Sequence, residues 1–144
     1  WCDLVAGAVS DFSETGLKAV FQPTDEIAIS EQQTAFAKFA PCFEGRLKEN
    51  GTGFCAGTRL SFADVILVEA LSSYLEWIPD ILEPTPLLKA LNETVLSHPG
   101  IKAYLTSDLR YPKPDNTCVI DIARVLQRPL PSHFSDPNQF VAPS

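Results

Sequence analysis

The segment Ser61-Phe62-Ala63-Asp64, running straight into Val65-Ile66-Leu67-Val68, narrows the possible folds more than any other part of this chain. A serine at this place can accept a hydrogen bond from the backbone three residues on. An acid three residues on can reach back to the serine N–H, and the two together lock the first turn of a helix. The run continues through Ala70, Leu71, Tyr74, Leu75 and Trp77, apolar almost all round, until Pro79 closes it. Such a helix is predicted to pack centrally among others, because a surface helix keeps a polar face.

The rest of the chain supplies those neighbours. Within residues 27–50, Phe36, Phe39, Ala40, Phe43 and Leu47 fall at i, i+3, i+4, i+7 and i+11, one helical face. Pro41 lies inside that pattern and predicts a bend, while Gly51 and Gly53 end the element. Thr85 as N-cap and Pro86 at the first helical position open another helix, with Leu87, Leu88, Leu91 and Val95 in register up to Pro99. A short amphipathic turn around Ile101, Tyr104 and Leu105 follows, then a polar connection over 108–115. A last helix is predicted at 116–127 on the stripe Val119, Ile120, Ala123, Leu126 and Gln127, and residues 128–144 read as an extended, proline-bearing tail. Near the start, Leu4, Val5, Ala8 and Phe12 share a face despite Gly7 and Gly16, so residues 1–21 are also predicted helical. No segment alternates with period two, and no internal repeat is visible. The expectation is one all-α domain over residues 1–127.

A net charge of −7 is unsuited to a phosphate backbone, so nucleic acid is not expected as a partner. The longest apolar stretch is far short of the roughly 20 residues that span a bilayer. The chain begins at Trp1 and contains no methionine, and is expected to be a fragment of a longer protein. Cys2, Cys42, Cys55 and Cys118 form no C-x-x-C pair and are read as mostly buried thiols of a reducing compartment, so no metal site is expected. His98 and His133 lack neighbouring ligands and are given no chemical role. The sequons at Asn50 and Asn92 are discounted, because such short patterns arise often by chance.

Four blocks in order resemble a known family. Gly57-Thr58-Arg59-Leu60-Ser61-Phe62-Ala63-Asp64 is similar to the helix-opening signature of the C-terminal domain of glutathione transferases. Pro84-Thr85-Pro86-Leu87-Leu88-Lys89-Ala90-Leu91 resembles that domain's F-P-L-L-K-A-L stretch, and His98-Pro99-Gly100-Ile101-Lys102-Ala103-Tyr104-Leu105 its x-P-x-[IV]-K-x-[FY]-L segment. Lys38-Phe39-Ala40-Pro41-Cys42-Phe43-Glu44 looks like the alpha-class [RK]-Y-F-P-x-F-E run.

The resemblance implies an all-helical bundle packed beside a thioredoxin-like domain, absent from this chain, that holds glutathione and activates its thiol. It implies a cytoplasmic, detoxifying homodimer acting on a small electrophile, with glutathione as co-substrate and no cofactor or catalytic residue in the helical part. Lys38 matches a basic residue that reaches toward the neighbouring subunit's glutathione; Asp3 and Asp11 lie near the place of the acid that works with it. Ile120 and Ala123 match residues facing the electrophile pocket, although a helix simply docked on the body would carry the same stripe. Gln127 stands where the family favours an aromatic. Ser61 and Asp64 are read as a structural capping box rather than a catalytic pair. The alternative is a non-catalytic module of the same type, used for protein–protein interaction in a larger assembly.

Overall fold

In the computed structural model, which describes residues 2–110 and 114–134, six α-helices occur and no strand is found among the described residues. They are α1 (Cys2–Lys18), α2 (Asp25–Asn50), α3 (Phe62–Leu75), α4 (Pro86–Leu96), α5 (Pro99–Leu105) and α6 (Asn116–Leu126), with a 3-10 turn at Ala19–Phe21 after α1. Trp1, residues 111–113 and residues 135–144, the larger part of the expected tail, lie outside the described residues.

Helix α3 is the centre of the bundle. Ala63, Leu67, Val68, Ala70, Leu71 and Tyr74 are buried along it, and α1 is the helix it packs against most. The Tyr74 ring stacks on Phe12 at 4.2 Å, and its hydroxyl donates to the Phe12 carbonyl at 2.7 Å. Gly16 makes room for that ring, because a Cβ there would stand 3.1 Å from Tyr74 Cε2. The inward face of α1 is Val5, Val9, Phe12 and Gly16. The expected face is corrected in part, since Leu4 points to solvent; two apolar faces were open to a helix this rich in small residues, and α3 selects the one that accommodates Tyr74.

Helix α2 starts two residues earlier than expected, at Asp25, because the Thr24 side chain accepts from the Ile27 N–H and the acids Asp25 and Glu26 fill the first turn. It runs unbroken past Pro41 to Gly51, whose left-handed φ of 67° ends it. Pro41 and Ala37 both face solvent, so the carbonyl that loses its donor meets water. Helix α4 is capped differently from the expectation. The Thr85 hydroxyl donates to the Leu82 carbonyl instead of capping, and the Glu44 carboxylate, reaching across from α2, accepts from the N–H groups of Leu87 at 2.9 Å and Leu88 at 2.8 Å.

The main core is built from α1 to α4. Helix α6 stands apart from it and packs on the 3-10 turn. Asp115 caps its start through the Thr117 and Cys118 N–H groups. Gln127 ends it one residue early, in the left-handed region at φ 51°.

Candidate functional site

The turn before α3 is the most densely bonded part of the chain. The Asp64 side chain is fully buried; one oxygen accepts from the Cys55 N–H at 2.6 Å, the other from the Ser61 N–H at 2.8 Å and the Ser61 hydroxyl at 2.6 Å. Ser61 Oγ also faces the Asp64 N–H as a capping box requires, without a full hydrogen bond there; its strong bond is the one it donates. Arg46 Nε donates to the Cys55 carbonyl at 2.7 Å, and the Asn50 amide nitrogen holds the carbonyls of Phe54 and Gly57. Burial first, and then the negative charge of Asp64, push the Cys55 thiol up to about 12. A thiol held neutral in this way is no nucleophile. The cluster fixes the loop 51–60 on the start of α3.

The outer side of α3 carries exposed apolar side chains. Along the outer side of α3, Phe62 is 55% exposed and Val65 is exposed as well, so the helix is not buried all round as expected. Beside them opens a cleft of about 540 Å³ between α3 and α5, lined among others by Leu17, Val65, Val68, Ile101, Tyr104 and Leu105. Leu17 is 66% exposed. Toward the C-terminal end of α3 the same surface meets Val20, Trp77 and Pro114, at the approach to α6. Apolar side chains gathered like this on one face mark a surface that another protein or a ligand covers.

Helix α6 carries apolar side chains on two faces. Ile120 is 8% and Ala123 6% exposed, and with Val119 they dock the helix on the body. The residues α6 turns outward are Ile122, Val125 and Leu126. Ile120 and Ala123 therefore lie on the docked face of α6, and Ile122, Val125 and Leu126 on its exposed one.

Lys38 is exposed on α2, with its Nζ 5.0 Å above the Phe39 ring. It borders a polar groove of about 400 Å³ between α1 and α2, shared with Thr15, Lys18, Ser30, Glu31 and Thr34. Neither Asp3 nor Asp11 borders that groove, and no ion pair joins either to Lys38. The cysteine expectation is corrected. Cys55 alone is buried, Cys2 and Cys118 are half-buried and Cys42 is exposed, all of them free thiols. Among the described residues no cluster of His, Cys, Asp or Glu could hold a metal ion, and no helix is long and apolar enough to cross a membrane.

Residues 10–108 match the family described as glutathione S-transferase, C-terminal domain. The chain belongs to that family. Its relatives include glutathione S-transferase alpha-3 of Rattus norvegicus, 35% identical over 127 residues that are 85% of this chain and 58% of that protein. A glutathione S-transferase of Antechinus stuartii is 38% identical over 92 residues, 63% of this chain and 42% of that protein. Glutathione S-transferase P 1 of Bufo bufo is 35% identical over 79% of this chain and 55% of that protein. The solved structure of NaGST-2 superposes with a TM-score of 0.69 at 26% identity, covering 78% of this chain and 58% of that one. The chain thus spans about half the length of the curated relatives it matches. In this glutathione transferase C-terminal domain, the buried start of α3 is structural and the apolar face is the part left to meet something else.

Proposed function

We propose that this chain is the pocket-forming half of a dimeric, cytoplasmic, detoxifying glutathione transferase, and that its apolar face receives a thioredoxin-like domain that binds glutathione. The observation that carries this reading is the face itself. Phe62 and Val65 stand uncovered on the helix that otherwise anchors the core, and the adjoining cleft is apolar. The family membership and the share of the relatives' length left unmatched support a second domain as its cover.

The chemistry divides accordingly. The glutathione thiolate is the attacking species, and a hydroxyl donor on the other domain stabilises it. This chain supplies shape and apolarity. Ile122 and Leu126 of α6, with Leu17 at the end of α1, are the side chains we assign to the electrophile wall, in place of Ile120 and Ala123. An apolar wall lowers the cost of bringing in an uncharged electrophile and excludes water around the reacting sulfur. Lys38, exposed beside a groove whose one acid, Glu31, is bonded to Gln22, is assigned to the neighbouring subunit's glutathione carboxylate.

Retention of the full-length gene product on immobilised glutathione, with turnover of an aryl halide, is the expected result. A full-length product with neither would defeat the enzymatic reading and favour the interaction module.

A further inference from the structure

Helix α6 is a weak element by itself. It has 11 residues, below the length at which an isolated helix holds in water, and its buried Val119, Ile120 and Ala123 lie outside the main core. The segment after it turns back. At Gln127 the chain enters the left-handed region, and the Arg128 N–H donates to the Ala123 carbonyl at 3.0 Å. The Phe134 N–H then donates to the Pro131 carbonyl at 2.9 Å, closing a turn. This brings His133 Nε2 to 3.0 Å from the Phe21 carbonyl. The His133 ring lies 4.6 Å from that of Phe134. Phe134 in turn helps wall a cleft of about 820 Å³ that is also bordered by Ala19, Val20, Trp77 and Asn116. A carbonyl can only accept, so Nε2 carries the proton and donates it.

Both ends of this hairpin therefore rest on one short element. Helix α6 docks on the 3-10 turn Ala19–Phe21, and the segment behind it is tied to the last carbonyl of that same turn. We infer that residues 128–134 are a strap that holds α6 against the body, with His133 as its buckle and Phe134 forming part of the cleft wall beside it. Leaving the body then requires the helix to break the His133 bond as well as its own apolar contact. The consequence for substrate entry rests on the electrophile-wall reading of α6, since a tighter strap would slow the opening of that wall. The strap itself does not depend on that reading.

Hydrogen exchange on this chain tests it. His133→Ala removes one net hydrogen bond, and exchange of the α6 amides from Val119 to Leu126 is expected to rise roughly five-fold, with the α3 amides unchanged. His133→Gln keeps an N–H donor and is expected to restore much of the protection, and His133→Ala/Phe134→Ala to loosen α6 further. Equal α6 exchange in the parent and the double variant would overturn the strap, as would α3 and α6 accelerating together. Loss of the strap with full transferase activity in the longer protein would refute only its bearing on substrate entry.

Discussion

Replacing Asp64 by alanine separates an ordinary helix cap from the lock described above. A carboxylate at the third helical position that does nothing more than cap stabilises by about 1 kcal/mol. Asp64 does more. Its removal strands the Cys55 N–H and the Ser61 N–H, one buried and the other partly so. Each orphaned donor costs about 1–3 kcal/mol. The Ser61 hydroxyl is half-buried, can rotate toward water and adds little. The sum is about 4 kcal/mol, equivalent to a fall in Tm of roughly 8–16 °C for a chain of this size. Asp64→Asn should be nearly as damaging, because its amide must turn a donor toward one of the two N–H groups. Ser61→Ala, which leaves both backbone bonds in place, should cost about 1 kcal/mol. Urea unfolding followed by far-UV circular dichroism measures all three, with an unchanged m-value as the check that only the native state has moved. A cost of 1 kcal/mol or less for Asp64→Ala would refute the reasoning.

Three further outcomes follow from the packing. Glu44→Ala should strip both acceptors from the start of α4, costing about 1–2 kcal/mol and raising exchange first at the Leu87 and Leu88 amides. Gln32 is fully buried on α2 with no hydrogen-bond partner for its amide among the described residues. Gln32→Met should therefore stabilise by about 1 kcal/mol in the same urea titration, and a loss of stability would show that the amide is satisfied after all. Burial raises Cys55 from an ordinary 9.0 to about 12 and Tyr74 from 10.0 to about 12. Both are neutral in the fold, so this contribution is complete below about pH 9. It is lost as pH rises toward 12, because the unfolded chain releases its protons first. Stability measured from pH 8 to 11 should fall monotonically, and less steeply in Cys55→Ala relative to its own value at pH 8.

The starts of α3 and α4 were legible because they rest on local chemistry: Thr85-Pro86 and the Ser61–Asp64 spacing each act within one turn. So was the all-α class, since periodicity of this kind is independent of what the helix packs against. What escaped depended on distant partners. Nothing near Thr85 reveals that Glu44, more than 40 positions away, supplies the acceptors for α4. Leu4 and Val9 compete for the core in any helical projection, and the space that Tyr74 needs beside Gly16 settles the matter. In α6, apolar residues occur on both sides, so Ile120 with Ala123 and Ile122 with Leu126 are equivalent until the 3-10 turn takes one pair. Cys55 looked like its three counterparts, and its burial comes from the loop that Asp64 and Arg46 pull in.

Steady-state conjugation of an aryl halide by the full-length protein, comparing the parent with Ile122→Asp and Lys38→Ala, bears most directly on the roles assigned to the electrophile wall and to Lys38. A charge on the electrophile wall should raise KM for the halide about ten-fold with KM for glutathione unchanged. Loss of Lys38 should do the reverse, raising KM for glutathione alone. Two variants with the parent's constants for both substrates, in a protein that turns over, would contradict the assignment of these two surfaces.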